Sequence, residues 1–246
     1  MALTGASHEG RSLAFLAIAY FLLLFPLLYD IPPILALIWV SVSGLQSFCI
    51  CVINHNHMHL SICKQQWTNL LLNIAITLAK GYSATEIVIA HNYNHHVHHG
   101  NEKDWMGPEF AGQGIGILRL CRYIIKASAN AARESSSPTA RLDKQQQKSI
   151  FLEKTALGIF ILALLAIGGV KVLIFVLLPW AIGTVCLLGI NLLQHDGCHP
   201  DSPYNHSRNF TGRLGNCFSL TMAIIPSITC DRPCIGVCYP KGTIAW

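Results

Sequence analysis

The sequence predicts an all-α integral membrane protein, with about four transmembrane helices in two hairpins and a histidine-box cap on their cytoplasmic ends. Three observations lead there. Of 246 residues, 52% are hydrophobic and only 12% are charged, where a soluble domain carries roughly 25% charged residues. Mean hydropathy is +0.44, and the apolar residues collect in runs close to the ~20 residues that a helical span needs. The histidines gather at or just beyond the ends of those runs.

Taken in order, residues 1–11 are polar and end in Arg11. Residues 13–28 are almost wholly apolar and form the first span, which lacks a convincing cleavage site and stays on the protein. Asp30-Ile31-Pro32-Pro33 ends it, because consecutive prolines cannot continue a helix. Residues 34–53 form the second span and run straight into His55. Residues 69–79 are apolar but too short to cross, so a re-entrant or interfacial segment fits them. Residues 118–132 are amphipathic, with Arg119, Arg122 and Lys126, and are expected to lie along the membrane surface. Residues 134–147, with Ser135-Ser136-Ser137-Pro138 and Gln145-Gln146-Gln147, read as a solvated connector. Residues 156–170 and 172–193 make the second hairpin, turning near Gly168-Gly169-Val170-Lys171.

Basic residues set the orientation. Residues 54–149 hold ten Lys or Arg, the Asp30 turn holds none, and the Gly168 turn holds only Lys171. The histidine face and both termini are therefore expected in the cytoplasm. Net charge is +5, its distribution matters more than its sum, and no nucleic-acid partner is expected. The ten cysteines are scattered, several inside apolar runs, which argues against a secreted disulfide framework. Cys49, Cys51 and Cys186 read as small apolar packing residues.

The histidines carry the chemistry. His55 and His59 are one helical turn apart, as are His91 and His95, and so share a face. His96 lies about 100° further round. Asn191 and His195 repeat the i, i+4 spacing. Imidazole suits iron, zinc and copper alike. Five histidines within residues 91–99 resemble a metal-sequestering tract, but Asn92-Tyr93-Asn94 interrupts them and apolar runs flank them.

Boxes of the form H-x-x-x-H and H-x-x-x-HH, followed by N-x-x-x-H at the ends of paired spans, resemble the membrane fatty acid desaturase and hydroxylase superfamily. The stretch after the second box, with Asn101 and Asp104-Trp105, is similar too, as are Gln194-His195-Asp196-Gly197-Cys198 and Asn205-His206-Ser207-Arg208-Asn209-Phe210. The resemblance implies O₂-dependent desaturation of an acyl-lipid or acyl-thioester at two non-haem iron ions. It implies His55, His59, His91, His95, His96 and His195 as iron ligands, with Asn191 a ligand through water or a neighbour of the ligands. No separate catalytic side chain is assigned, and His57, His98, His99, His199 and His206 have no ligand role. The implied partners are the lipid bilayer, an acyl-chain substrate and an external electron donor of ferredoxin, rubredoxin or cytochrome type. An alkane or carotenoid hydroxylase of the same superfamily is the alternative. A histidine-rich membrane metal carrier is the alternative of another class, and it would place metal-binding residues inside the spans.

The chain divides into a desaturase-like domain, 1–216, and an aberrant tail, 217–246. The superfamily carries a last H-x-x-HH box, whereas no histidine follows His206 here and the tail instead holds Cys217, Cys230, Cys234 and Cys238. Back-translation offers an account. Joining the third base of each codon to the first two of the next forces glycine at the Met222–Ala223 junction. It permits Asn-Asn before that glycine and Tyr-His-Thr-Ile-His-His after it, which is the missing box in another frame. Loss of one G from a tryptophan codon at position 217 produces the tail as written. The expectation is a frameshifted chain that binds fewer than two irons and does not turn over.

Overall fold

The computed structural model describes residues 6–59, 61–89, 93–94, 96–98, 103–104, 106–113, 116–135 and 142–198. Most of these residues are helical, and none of them lies in a strand. The helices are α1 (Ala6–Leu28), α2 (Pro33–His59), α3 (Gln66–Lys80), α4 (His96–His98), α5 (Gly116–Ser135), α6 (Lys144–Gly168) and α7 (Leu178–His195). Four segments are long and apolar enough to cross a membrane: Gly10–Leu28, Pro33–Met58, Lys144–Gly168 and Leu173–His195. The protein is thus an all-α membrane protein, and large apolar side chains such as Ile34, Leu37, Leu162 and Ile167 face outward, as lipid-facing residues do.

Proline and glycine set the turns at one end of the bundle. Pro33 starts α2, where its missing N–H costs nothing because the first turn has no intrahelical acceptor. Gly169 ends α6 with φ +51°, a left-handed value that disfavours a side chain. Lys171 Nζ then donates to Asp30 Oδ1 at 2.7 Å, so the two hairpin turns meet. Pro179 lacks the N–H that an α-helix would direct at Phe175, and the preceding turn, Leu173–Leu177, widens to π-helical winding. Trp39 staples the first hairpin: its Nε1 donates to Leu22 O at 2.7 Å, and its ring stacks on Phe25 at 5.4 Å.

Small residues bring α2 and α7 together. A Cβ on Gly44 would lie 2.5 Å from Ile182 Cγ2, and one on Gly183 would lie 2.5 Å from Ser47 Oγ. Without a hydrophobic drive between helices in lipid, such close backbone approach is what holds a pair. Since 44 meets 182 and 47 meets 183, the two helices run parallel.

Sequence reasoning and structure part in three places. The second helix extends to His59, so the first histidine pair lies on the helix itself. Lys144 to Gln147 are not connector but the first turn of α6. Asp143 Oδ1 accepts from Gln146 N at 2.7 Å and Gln146 Oε1 accepts from Asp143 N at 3.1 Å, a capping box that satisfies two otherwise unpaired donors. Tyr93 and Asn94, expected on an α-helix, are wound as π-helix. Cys49 and Cys51 are buried as expected, although Cys51 Sγ also accepts from Tyr82 Oη at 3.3 Å.

Candidate metal centre

Parallel packing sends two of the histidine elements the same way. From the Gly44–Ile182 contact, His55 and His195 lie about three and three and a half turns further along, at the same end of the pair. Both are half-buried. His57 sits about 200° round the helix from His55 and is buried on the opposite face. Its Nδ1 accepts from Ile62 N at 3.0 Å, and the Asn73 side chain hydrogen-bonds the ring as well. The ring is therefore already engaged by protein groups. His57 and Asn73 also line a small niche with Met58, Asn69 and Val88, too tight for a lipid.

The α7 end is held by α5, which sequence reasoning placed at the membrane surface without giving it a role at the site. Asn191 Nδ2 donates to Tyr123 Oη at 2.6 Å and to Met106 O at 3.2 Å, and Tyr123 Oη donates to the same carbonyl at 2.8 Å. This commits the amide nitrogen and leaves Oδ1 as the acceptor end. Burial pushes the Tyr123 phenol up to about 12, so it stays a donor. One turn earlier on α5, Arg119 forms a forked pair with Asp196, 2.6 and 2.7 Å, directly after His195. That carboxylate raises the Arg119 pKa. Asp104, buried, accepts from Met106 N at 3.1 Å and so fixes the carbonyl that Tyr123 and Asn191 share. The stretch following the second box is thereby tied to the helix carrying Asn191 and His195.

The approach to the second box is held from α6. Glu153 is fully buried. It accepts from Ser83 Oγ and Thr85 Oγ1, both at 2.5 Å, from Thr85 N at 3.0 Å and from Thr77 Oγ1 at 3.3 Å. A buried carboxylate persists only where several donors replace its water. Beside it, Lys80 Nζ donates to Tyr82 O at 2.9 Å and Ser83 O at 3.3 Å and lies over the Tyr82 ring. Burial pushes the Lys80 pKa down to about 7, against the pull of Cys51, Glu153 and Glu86. Within the box, Tyr93 Oη donates to Gln146 Oε1 at 3.3 Å, and Asn94 Nδ2 donates to Lys103 O at 2.8 Å.

Of the seven proposed ligands, His55, Asn191 and His195 are described with their side chains. His59 closes α2 and His96 opens α4, but their side chains, and His91 and His95 altogether, lie outside the described residues. So do His99, His199, His206 and the tail 217–246. Among the described residues no three His, Cys, Asp or Glu gather as a metal site. The donors at this end still suit a metal: imidazoles at the same end of two packed helices, with neighbours that fix their helices. Residues 30–223 match the fatty acid desaturase family. No curated protein and no solved structure gives a significant match.

Proposed function

The chain belongs to the fatty acid desaturase family, and on that premise we propose that its architecture is that of a di-iron acyl-lipid or acyl-thioester desaturase, inactive as written. The family is generally di-iron dependent. His55, His59, His91, His95, His96 and His195 would hold the metals, with Asn191 Oδ1 directly or through water. An iron pair there supplies the oxidising power that an unactivated methylene demands and that side chains lack. The protein's part is placement. The observation that carries the reading is the parallel α2–α7 pair, which sends His55 and His195 to one end. Tyr123, Arg119 and Asp104 then fix the α7 end against the stretch that follows the second box. An acyl chain reaches such a site sideways from the bilayer, and an external protein donates electrons.

The histidine end and both termini face the cytoplasm in this reading, because the basic residues concentrate there. A membrane-impermeant reagent applied from outside labels a cysteine placed at position 171 and not one at 144; the reverse pattern inverts the topology.

The inactivity follows from the frame. The domain is 1–216, and the out-of-frame tail removes the last box with its three histidines. Metal binding is partly folding energy, so loss of that box lowers iron content as well as turnover. Lipid profiling and metal analysis of this chain beside a frame-restored version test both claims. The expected result is new double bonds and two irons per chain only after restoration. In the restored protein, His95→Ala abolishes both. Two tight irons and turnover in the chain as written would overturn the frame argument. Hydroxylated lipids or carotenoids from the restored chain would move the activity to the hydroxylase branch.

A further inference from the structure

We propose that α5 is a docking surface for anionic lipid headgroups. At about 100° per residue its side chains fall into three sectors. Tyr123 and Ala127 are buried, with Leu120 and Ile124 packed beside them against Leu188 and Leu192 of α7. The next sector, roughly 100° wide, is mainly apolar and points away from the protein: Ile117, Leu118 and Ile125 are 69%, 74% and 69% exposed, and Cys121 and Ser128 between them are exposed too. Beside that face runs a basic stripe, Arg122, Lys126 and Arg133, all exposed. Arg119, at the border, is turned to Asp196 instead.

An apolar face edged by basic residues along one helix matches a helix lying in the plane of a bilayer surface, its apolar side in the acyl boundary and its cations at phosphate level. An acidic protein partner would satisfy the stripe but would leave three large aliphatic side chains exposed. Charge complementarity and the adjoining lipid-facing spans together select the anionic bilayer. Arg122 Nη1 also donates to Gln113 O at 3.0 Å, which directs its guanidinium along the surface. The inference stands apart from the iron chemistry, and its test needs neither metal nor turnover.

The test uses Cys121, which lies within the apolar sector. The full chain is placed, one copy per nanodisc, in phosphatidylcholine alone or mixed with phosphatidylglycerol. The rate of Cys121 modification by a membrane-impermeant maleimide is read by peptide mass spectrometry. Anionic lipid is expected to slow modification by roughly fivefold for each engaged cation, and high salt is expected to reverse the protection. Arg122→Glu with Lys126→Glu should abolish the lipid dependence, whereas Arg122→Lys with Lys126→Arg should keep it. If the charge-reversed chain fails to fold, salt titration of the unaltered chain decides. Equal rates in the two bilayers at low salt would overturn the proposal. So would protection that requires two chains per disc, or an added acidic protein.

Discussion

The two ends of the helical bundle are built on different principles. At the hairpin-turn end, two short turns meet through one ion pair, Lys171–Asp30, in which the Asp30 side chain is 96% exposed. At the histidine end, Glu153, Lys80, Asp104 and Tyr123 are all fully buried or nearly so, and their bonds span four helices and two loops. Exposed pairs are screened and contribute little, whereas a buried polar group left without its partner costs its full desolvation. The hairpin-turn end is held by packing and chain connectivity. The histidine end is held by polar geometry, which fixes positions as packing alone does not.

That contrast is open to direct attack, and Glu153→Ala is the severest way. It strands four donors in a dry site and should remove at least about 3 kcal/mol of stability. Denaturant unfolding in detergent, followed by circular dichroism, reads the loss; a loss within error would show that the two ends do not differ. Next comes pH. The Lys80 pKa falls from 10.5 to about 7 on folding, so between those values the unfolded chain holds a proton that the folded chain has released. Stability should therefore rise with pH across that window, by roughly 1 kcal/mol per unit. In Lys80→Met the rise should flatten, and a slope that persists would place its origin elsewhere.

Tyr123→Phe removes the hydroxyl between Asn191 and Met106 and should cost about 1–2 kcal/mol. A double-mutant cycle with Asn191→Ala checks it: if the hydroxyl acts through Asn191, the two losses are far from additive. The least effect belongs to Lys171→Ala. The Asp30 pKa is lowered by the Lys171 hydrogen bond and charge, so that contribution disappears only as pH falls through the acidic range. At neutral pH that contribution is present but screened, so only a slight drop in the unfolding midpoint is expected, and a drop as large as that of Tyr123→Phe would mean that the hairpin-turn end is also held by charge.

The sequence showed what is local. Apolar run length marked four spans and excluded residues 69–79 from crossing, and α3 is indeed only Gln66–Lys80. The start of α6 was misread because its first turn is polar, although Asp143 and Gln146 stood at capping-box spacing. The Glu153 cage was not legible, since its partners lie 68 to 76 residues away. For Arg119 and Tyr123 a signal existed: they are four residues apart on an amphipathic helix, Tyr123 on the side that packs against α7 and Arg119 at its border. Which residues answer them on α7 is a fact of tertiary packing alone.

Distance along the chain also gives the histidine end a timetable. Tyr93 waits for Gln146, 53 residues later; Ser83 waits for Glu153, 70 later; Met106 waits for Asn191, 85 later. A ribosome making this protein thus releases the first two histidine boxes well before the groups that fasten them exist. Until the second hairpin has been synthesised and inserted, that end of the nascent chain lacks its bonds to Gln146, Glu153 and Asn191, while the first hairpin can already close around Trp39. Maturation of the site is a late event of biogenesis, set by the order of synthesis.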